Sequence, residues 1–129
     1  SIDGLIAVEP STAVGGLLVE TSSYAVLRNA TFIGGARTAI TPDAVSTYIA
    51  DSLFEAYALG GIGDDTQIVA SSAWSFTEAL VPFPGLDIER PGFLGAGDPV
   101  LGPDAPHPER GALASPYAAV MVDSWTSLR

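Results

Sequence analysis

Short apolar runs, separated by proline, glycine and acidic residues, set the rhythm of this chain. Residues 3–9 open with the turn pair Asp3-Gly4 and continue through Leu5, Ile6, Ala7 and Val8. A continuous apolar run this short reads as a buried strand. Pro10 ends it, because proline has no amide hydrogen to give to a sheet ladder. Ser11 and Thr12 are N-cap types, and residues 15–28 follow with apolar side chains on either side of the polar cluster at 20–23. That pattern predicts a helix packed on more than one side, with Arg28 and Asn29 where a cation and a stop residue are favoured. Residues 30–33 are predicted as a short strand and Gly34-Gly35 as a turn.

Thr41-Pro42-Asp43 predicts a second helix start: a capping threonine, proline at the first helical position and an acid in the first turn. Val45, Tyr48, Ile49, Leu53, Ala56 and Tyr57 then follow helical spacing, and Gly60-Gly61 supplies the stop. Residues 65–72 read as a strand. Residues 80–111 form an irregular Pro/Gly-rich segment, ordered against a partner or lying over a site. Residues 112–122 return to a buried strand broken at Pro116, and Asp123-Ser124 cap a short last helix.

A competing organisation reads the same residues as repeats. VLRNATF (26–32), YIADSLF (48–54) and IVASSAW (68–74) align, each with two apolar residues, a polar residue two on and an aromatic at the end. Spacings of 22 and 20 residues suit successive coils of a short right-handed parallel β-helix. The helix start at 41–43 and the stop at 60–61 speak against it.

Composition narrows the function classes. The 129 residues predict one domain spanning 1–129, or a piece of a larger one. A hydrophobic fraction of 47% and a mean hydropathy of +0.34 imply apolar surface buried against a partner. No apolar run reaches the ~18 residues of a membrane span, and no basic, apolar leader opens the chain; a cytoplasmic home is the default. With no cysteine there is no disulfide, no thiolate metal site and no cysteine nucleophile. The net charge of −10, from 15 acidic residues against five arginines and no lysine, excludes nucleic acid and anionic membrane as partners. It also disfavours direct docking of an acidic carrier protein.

The strand at 3–9, the turn STAVGGL and the following helical run have the grammar of a strand-to-helix nucleophile elbow. Together with YAVLRN and IGGARTAITPDAV they resemble the ketosynthase branch of the thiolase superfamily; GALASPYAAVMVDSW resembles that family's glycine-led C-terminal strand. The resemblance covers residues 3–45 well and 111–125 loosely. It implies an α/β thiolase-like half-fold ordered strand–elbow–helix–strand–helix–strand. Counting back from Arg28 puts the family's cysteine at Ala13, with Thr12 as second choice, so the nucleophile position is vacated and no catalytic residue is expected. Ser11, Thr12, Ala13, Val14, Gly15 and Gly16 then become acyl-tunnel candidates. Leu5, Ile6, Ala7 and Val8 become dimer-interface candidates. The implied function is that of a non-catalytic, chain-length-factor-like subunit. It would pair with an active ketosynthase chain in type II polyketide or fatty-acid assembly, meet an acyl carrier protein through that partner, and hold no cofactor or metal. The alternative function, from the repeat reading, is a structural or carbohydrate-binding β-helix segment.

The remaining chemistry-bearing residues have bland readings. His107, in PDAPHPER with Asp104 and Glu109 near it, reads as a solvent-exposed loop histidine more readily than as a general base. Asp64, Asp65, Asp98 and Asp104 lack calcium-loop spacing and read as turn and cap acids. Trp74, Phe76, Phe83 and Trp125 read as core or interface anchors, and Arg37 as an interface or surface arginine.

Overall fold

The computed structural model describes residues 2–8, 24–33, 46–55, 66–74, 82–95, 97–116 and 119–122. Almost all regular structure among them is parallel strand. Ten strands occur: β1 (Ile2–Asp3), β2 (Leu5–Val8), β3 (Tyr24–Arg28), β4 (Thr31–Ile33), β5 (Ser46–Ala50), β6 (Leu53–Glu55), β7 (Thr66–Val69), β8 (Ser71–Trp74), β9 (Leu86–Ile88) and β10 (Ala119–Val122). A single 3₁₀ turn, Ala112–Ala114, accompanies them. From β1 to β8 the strands alternate between two sheets, and β9 and β10 both join the second. Sheet A has the order β1-β3-β5-β7 and sheet B the order β10-β2-β4-β6-β8-β9, every pairing parallel.

Each circuit of the chain thus lays one strand on each sheet. The register is constant within a circuit: Asp3↔Arg28 and Val8↔Ile33 are both 25 apart, Arg28↔Ala50 and Ile33↔Glu55 both 22, Ala50↔Val69 and Glu55↔Trp74 both 19. The last circuit, Ser71↔Leu86, is 15. The circuits shorten along the stack.

The corner between the sheets explains this constancy. The residue that follows the first strand of a circuit occupies the left-handed region every time: Gly4 (φ 76°), Asn29 (45°), Asp51 (51°) and Ala70 (45°), with Gly85 (82°) continuing the column before β9. Glycine, asparagine and aspartate take this conformation readily; alanine does so at a cost of about 1 kcal/mol. A Cβ on Gly85 would lie 1.9 Å from the Ile68 carbonyl oxygen, so the corner there admits only glycine. Beyond the corner, buried serines supply acceptors that the turned backbone does not. The amide of Ala30 donates to Ser52 Oγ (3.2 Å) and that of Ser52 to Ser71 Oγ (3.1 Å). Each hydroxyl in turn donates to the carbonyl two residues before it, Ala50 or Val69.

Inside the stack, side chains align in rows one residue wide. Leu27, Ile49 and Ile68 form the sheet A row; Ala7, Phe32, Phe54 and Ala73 form the sheet B row. Phe32 and Phe54 stack with centroids 5.0 Å apart and rings 5° from parallel, adding to burial the energy of an aromatic pair. Phe83 packs against this core.

The repeat alignment read from the sequence matches the first two circuits, with Val26 opposite Tyr48. In the third it is one residue out, because Tyr48 pairs with Gln67 rather than Ile68. Two predicted helices are corrected. Where the helix over residues 15–28 is described, it is β3; where the helix begun at 41–43 is described, it is β5 and β6. The cause is the left-handed Asp51. It joins two short alternating strands and shifts their phase, so Tyr48, Ile49 and Leu53 fall at helix-like intervals on an extended chain. The strands expected at 3–9 and 30–33 are present as β2 and β4, and the single strand expected over 65–72 is two, β7 and β8, on different sheets and divided by the corner at Ala70. The strand expected over 112–122 is the 3₁₀ turn and then β10. The thiolase-like order therefore lacks its helices among the described residues.

Residues 107–116 run back along the outer face of sheet B, against the direction of stacking. The Gly111 amide donates to the Asp51 carbonyl (2.8 Å) and Asn29 Nδ2 donates to the Gly111 carbonyl (3.3 Å). The Ala112 amide donates to Thr31 Oγ1 (2.8 Å) and Ser115 Oγ to Asp3 Oδ1 (2.8 Å). β10 then pairs with β2 and completes the sheet at its first-circuit edge. Consequently Leu5, Ile6 and Ala7, expected at a dimer interface, are buried within this chain, with strands on both sides.

Candidate functional site

Where the returning segment first meets the stack, it brings a histidine and an arginine onto two carboxylates. Asp87 on β9 and Glu89 just beyond it are two residues apart on extended chain, and so share a face. β9 is held by β8, with Ser72 opposite Asp87 and the Glu89 amide donating to the Ala73 carbonyl (3.1 Å). Residues 92–95 meet residues 100–105 through the Phe93↔Leu101 bridge and the Gly102 amide to the Gly92 carbonyl (2.8 Å). A turn closed by the Arg110 amide on the His107 carbonyl (3.1 Å) then aims both side chains at β9.

Arg110 is the buried member, its side chain 8% exposed. Its NH1 donates to Ser72 Oγ (2.8 Å) and Asp87 Oδ2 (2.7 Å), with Glu89 Oε1 at 3.7 Å. Ser72 Oγ donates on to Glu89 Oε1 (3.2 Å). Arg110 Nε is buried with no partner among the described residues. His107 Nε2 lies 2.8 Å from Glu89 Oε1 and 3.7 Å from Asp87 Oδ2; Nδ1 lies 3.3 Å from Glu109 Oε1. Glu109 has its carboxyl held below the ordinary 4.5, first by a bond to its own backbone and then by the hydrogen bond and charge of His107; partial burial opposes this.

Adjacent on sheet B's outer face stands the row Glu55–Trp74–Glu89. The Arg90 guanidinium lies over the Trp74 ring, 5.2 Å from its centroid. Burial raises Glu55 above 4.5, and the charge of Arg90 partly offsets that rise.

The sequence reading placed His107 in an exposed loop. It is half-buried and bonded on both ring nitrogens, because Glu89 and Asp87 rise from the stack beside it. Glu109 was a named neighbour and is a partner; Asp104 lies outside the cluster. Asp98 is a turn acid as expected, its Oδ1 accepting from the Val100 amide (2.9 Å). Arg110, Ser72, Asp87 and Glu89 went unread; the alternation in LDIE was the available signal for the last two. Ser11, Thr12, Ala13, Val14, Gly15 and Gly16, with Asp64, Asp65, Arg37, Phe76 and Trp125, lie outside the described residues. Among the described residues, the vacated-elbow site has no counterpart to inspect.

Asp87, Glu89 and His107 each offer a ligand atom, all within 4.8 Å of one another. Chemically the cluster can pin the returning segment, shuttle a proton between His107 and Glu89, or hold a cation.

Comparison of the chain with protein-family models, curated proteins and solved structures finds no match. Among the described residues, no helix is long and apolar enough to cross a membrane.

Proposed function

We propose that the chain is a short right-handed parallel β-helix with a structural role, a rigid stack that presents rows of side chains and performs no chemistry of its own. The observation that carries this is the corner column Gly4, Asn29, Asp51, Ala70 and Gly85, five left-handed residues in one register. Parallel crossovers are right-handed in nearly all proteins, which supplies the hand. The Arg110 cluster suits the same role. Its buried guanidinium is engaged by Ser72 and Asp87 rather than held open toward a substrate, and it fastens the returning segment to the stack. The absence of cysteine is in keeping with a cytoplasmic setting.

A second reading, carbohydrate binding, is favoured by the half-buried Trp74 ring standing beside Glu89 and near Asp87. Aromatic faces and carboxylates together are the chemistry that sugar rings and hydroxyls require. The chain-length-factor role, with a ketosynthase partner and a carrier protein behind it, is supported less well, since the helices it needs are strands wherever they are described.

Two measurements separate these. Far-UV circular dichroism is expected to report almost no helix, and a helix content of a quarter or more overturns the β-helix. Affinity electrophoresis through a panel of soluble polysaccharides is expected to leave mobility unchanged. Retardation that Trp74→Ala abolishes replaces the structural role with the carbohydrate-binding one.

A further inference from the structure

The geometry points to a divalent metal site of the zinc, nickel or cobalt class, with His107 Nε2, Asp87 and Glu89 as ligands; it goes beyond the structural role and does not depend on it. The argument begins with the ring. A carboxylate only accepts hydrogen bonds, and a neutral imidazole has one N–H to donate. Yet both nitrogens of His107 face carboxylate oxygens: Nδ1 faces Glu109 and Nε2 faces Glu89 and Asp87. A doubly protonated ring satisfies both sides by donating from each nitrogen; with the proton on Nδ1 alone, the Nε2 lone pair and the two carboxylates converge within 4.8 Å of one another, as the ligands of a cation do.

Charge leads to the same place. Three carboxyl groups, of Asp87, Glu89 and Glu109, face one permanent cation, Arg110, so the cluster favours a further positive ion beside them. Spacing fits as well. Metal–N and metal–O bonds of about 2.1 Å put neighbouring ligand atoms roughly 3–3.5 Å apart, and Nε2 lies 2.8 Å and 3.7 Å from the two carboxylate oxygens. Small rotations of exposed side chains make up the difference.

The surroundings resemble those that metal ligands ordinarily have. A ligating histidine usually gives its other N–H to a carboxylate, which fixes the tautomer and the ring plane; Glu109 stands in that position. Arg110 and Ser72 donate to the same Asp87 Oδ2 and Glu89 Oε1 that face Nε2, which fixes both carboxylates in place while each oxygen keeps a lone pair for an ion. Asp87 is 53% exposed, Glu89 31% and His107 29%, so an ion has a route in and room for water. Mixed nitrogen and oxygen ligands select borderline metals over calcium and magnesium, which favour oxygen alone.

His107 is the only histidine of the chain, which makes the test direct. The whole 129-residue chain, stripped with chelator, is titrated with zinc chloride while the two ring nitrogens are followed by long-range ¹H–¹⁵N NMR. The expected result is a shift of the Nε2 resonance that saturates at one equivalent, with Nδ1 remaining protonated. Magnesium at the same concentrations is expected to leave both unmoved. By calorimetry, Glu89→Gln and His107→Ala are each expected to weaken zinc binding at least tenfold. Glu109→Gln, which touches no metal, is expected to weaken it by roughly tenfold through loss of ring orientation. An Nε2 resonance that stays in place up to 1 mM zinc overturns the proposal. So does zinc binding that survives His107→Ala, or an equal response to magnesium. Because the NMR readout uses the unaltered chain, the result stands even if a variant fails to fold.

Discussion

Sheets A and B take alternate strands from the same circuits, so their outward-facing rows can be compared position by position. On sheet A the outward positions include Arg28 and Gln67, both exposed, Tyr48, half-buried beneath the Arg28 guanidinium, and Val69, 39% exposed. On sheet B the row Ile6–Thr31–Leu53–Ser72 is buried throughout. The strands do not cause this difference. Residues 107–116 lie over sheet B; the outer face of sheet A is open at these positions. Composition follows the cover: aliphatic and hydroxyl side chains under it, arginine, tyrosine and glutamine where it is missing. Asp87 continues the covered row in register, and there the cover provides its own cation, Arg110.

Three substitutions would break or sharpen this contrast. Leu53→Ala should destabilise the chain by about 3 kcal/mol, as a fully buried leucine does even on an outward row. Gln67→Ala on the uncovered sheet should change stability by less than about 0.5 kcal/mol. Chemical denaturation of both variants measures the contrast, and equal costs would mean the covering segment does not exclude water. Arg110→Ala should cost about 2 kcal/mol, since charge-assisted bonds to Ser72 and Asp87 are lost and the buried Ser72 oxygen loses its donor. Proteolysis within residues 92–116 should quicken in this variant while the stack stays protected.

A small, pH-dependent effect concerns Glu55, whose carboxyl is raised by burial and only partly lowered by Arg90. A raised value means the fold prefers the neutral acid. Its stabilising contribution is complete below the unfolded value of about 4.3 and is lost as pH rises through the folded value. Glu55→Gln should therefore stabilise the chain at pH 7 by on the order of 0.5 kcal/mol, solvent screening limiting the gain. That gain should vanish below pH 4, as melting curves across the range would reveal.

How much of this was legible depended on sequence distance. β2, β4 and β7 were readable because each is a local apolar run with its own punctuation. The pairing of Val26 with Tyr48 was readable because a repeat carries its register with it. The 41–60 helix was misread because one left-handed residue between two short strands imitates helical spacing, and Asp51 does not advertise its φ. The site was hidden for a different reason. Arg110 lies 38 residues from Ser72 and 23 from Asp87, and only the path of the returning segment brings them together. The vacated elbow, at 11–16, remains an expectation from resemblance.

The pairing of β10 with β2 has a consequence for how the molecule is made. Leu5 waits for Ala119, 114 residues later in synthesis, so the edge of β2 that β10 covers goes without that partner while the circuits between them are made. Each new circuit can stack on the one before by local closure, but the clasp at Arg110 and the cover from β10 arrive only after β9. An unpaired edge of this kind is a template for intermolecular strand pairing, and long-range parallel pairing is slow to form. The interval before β10 docks is therefore when nascent chains are most exposed to one another, and β10 acts as a gate on aggregation as well as a part of the fold.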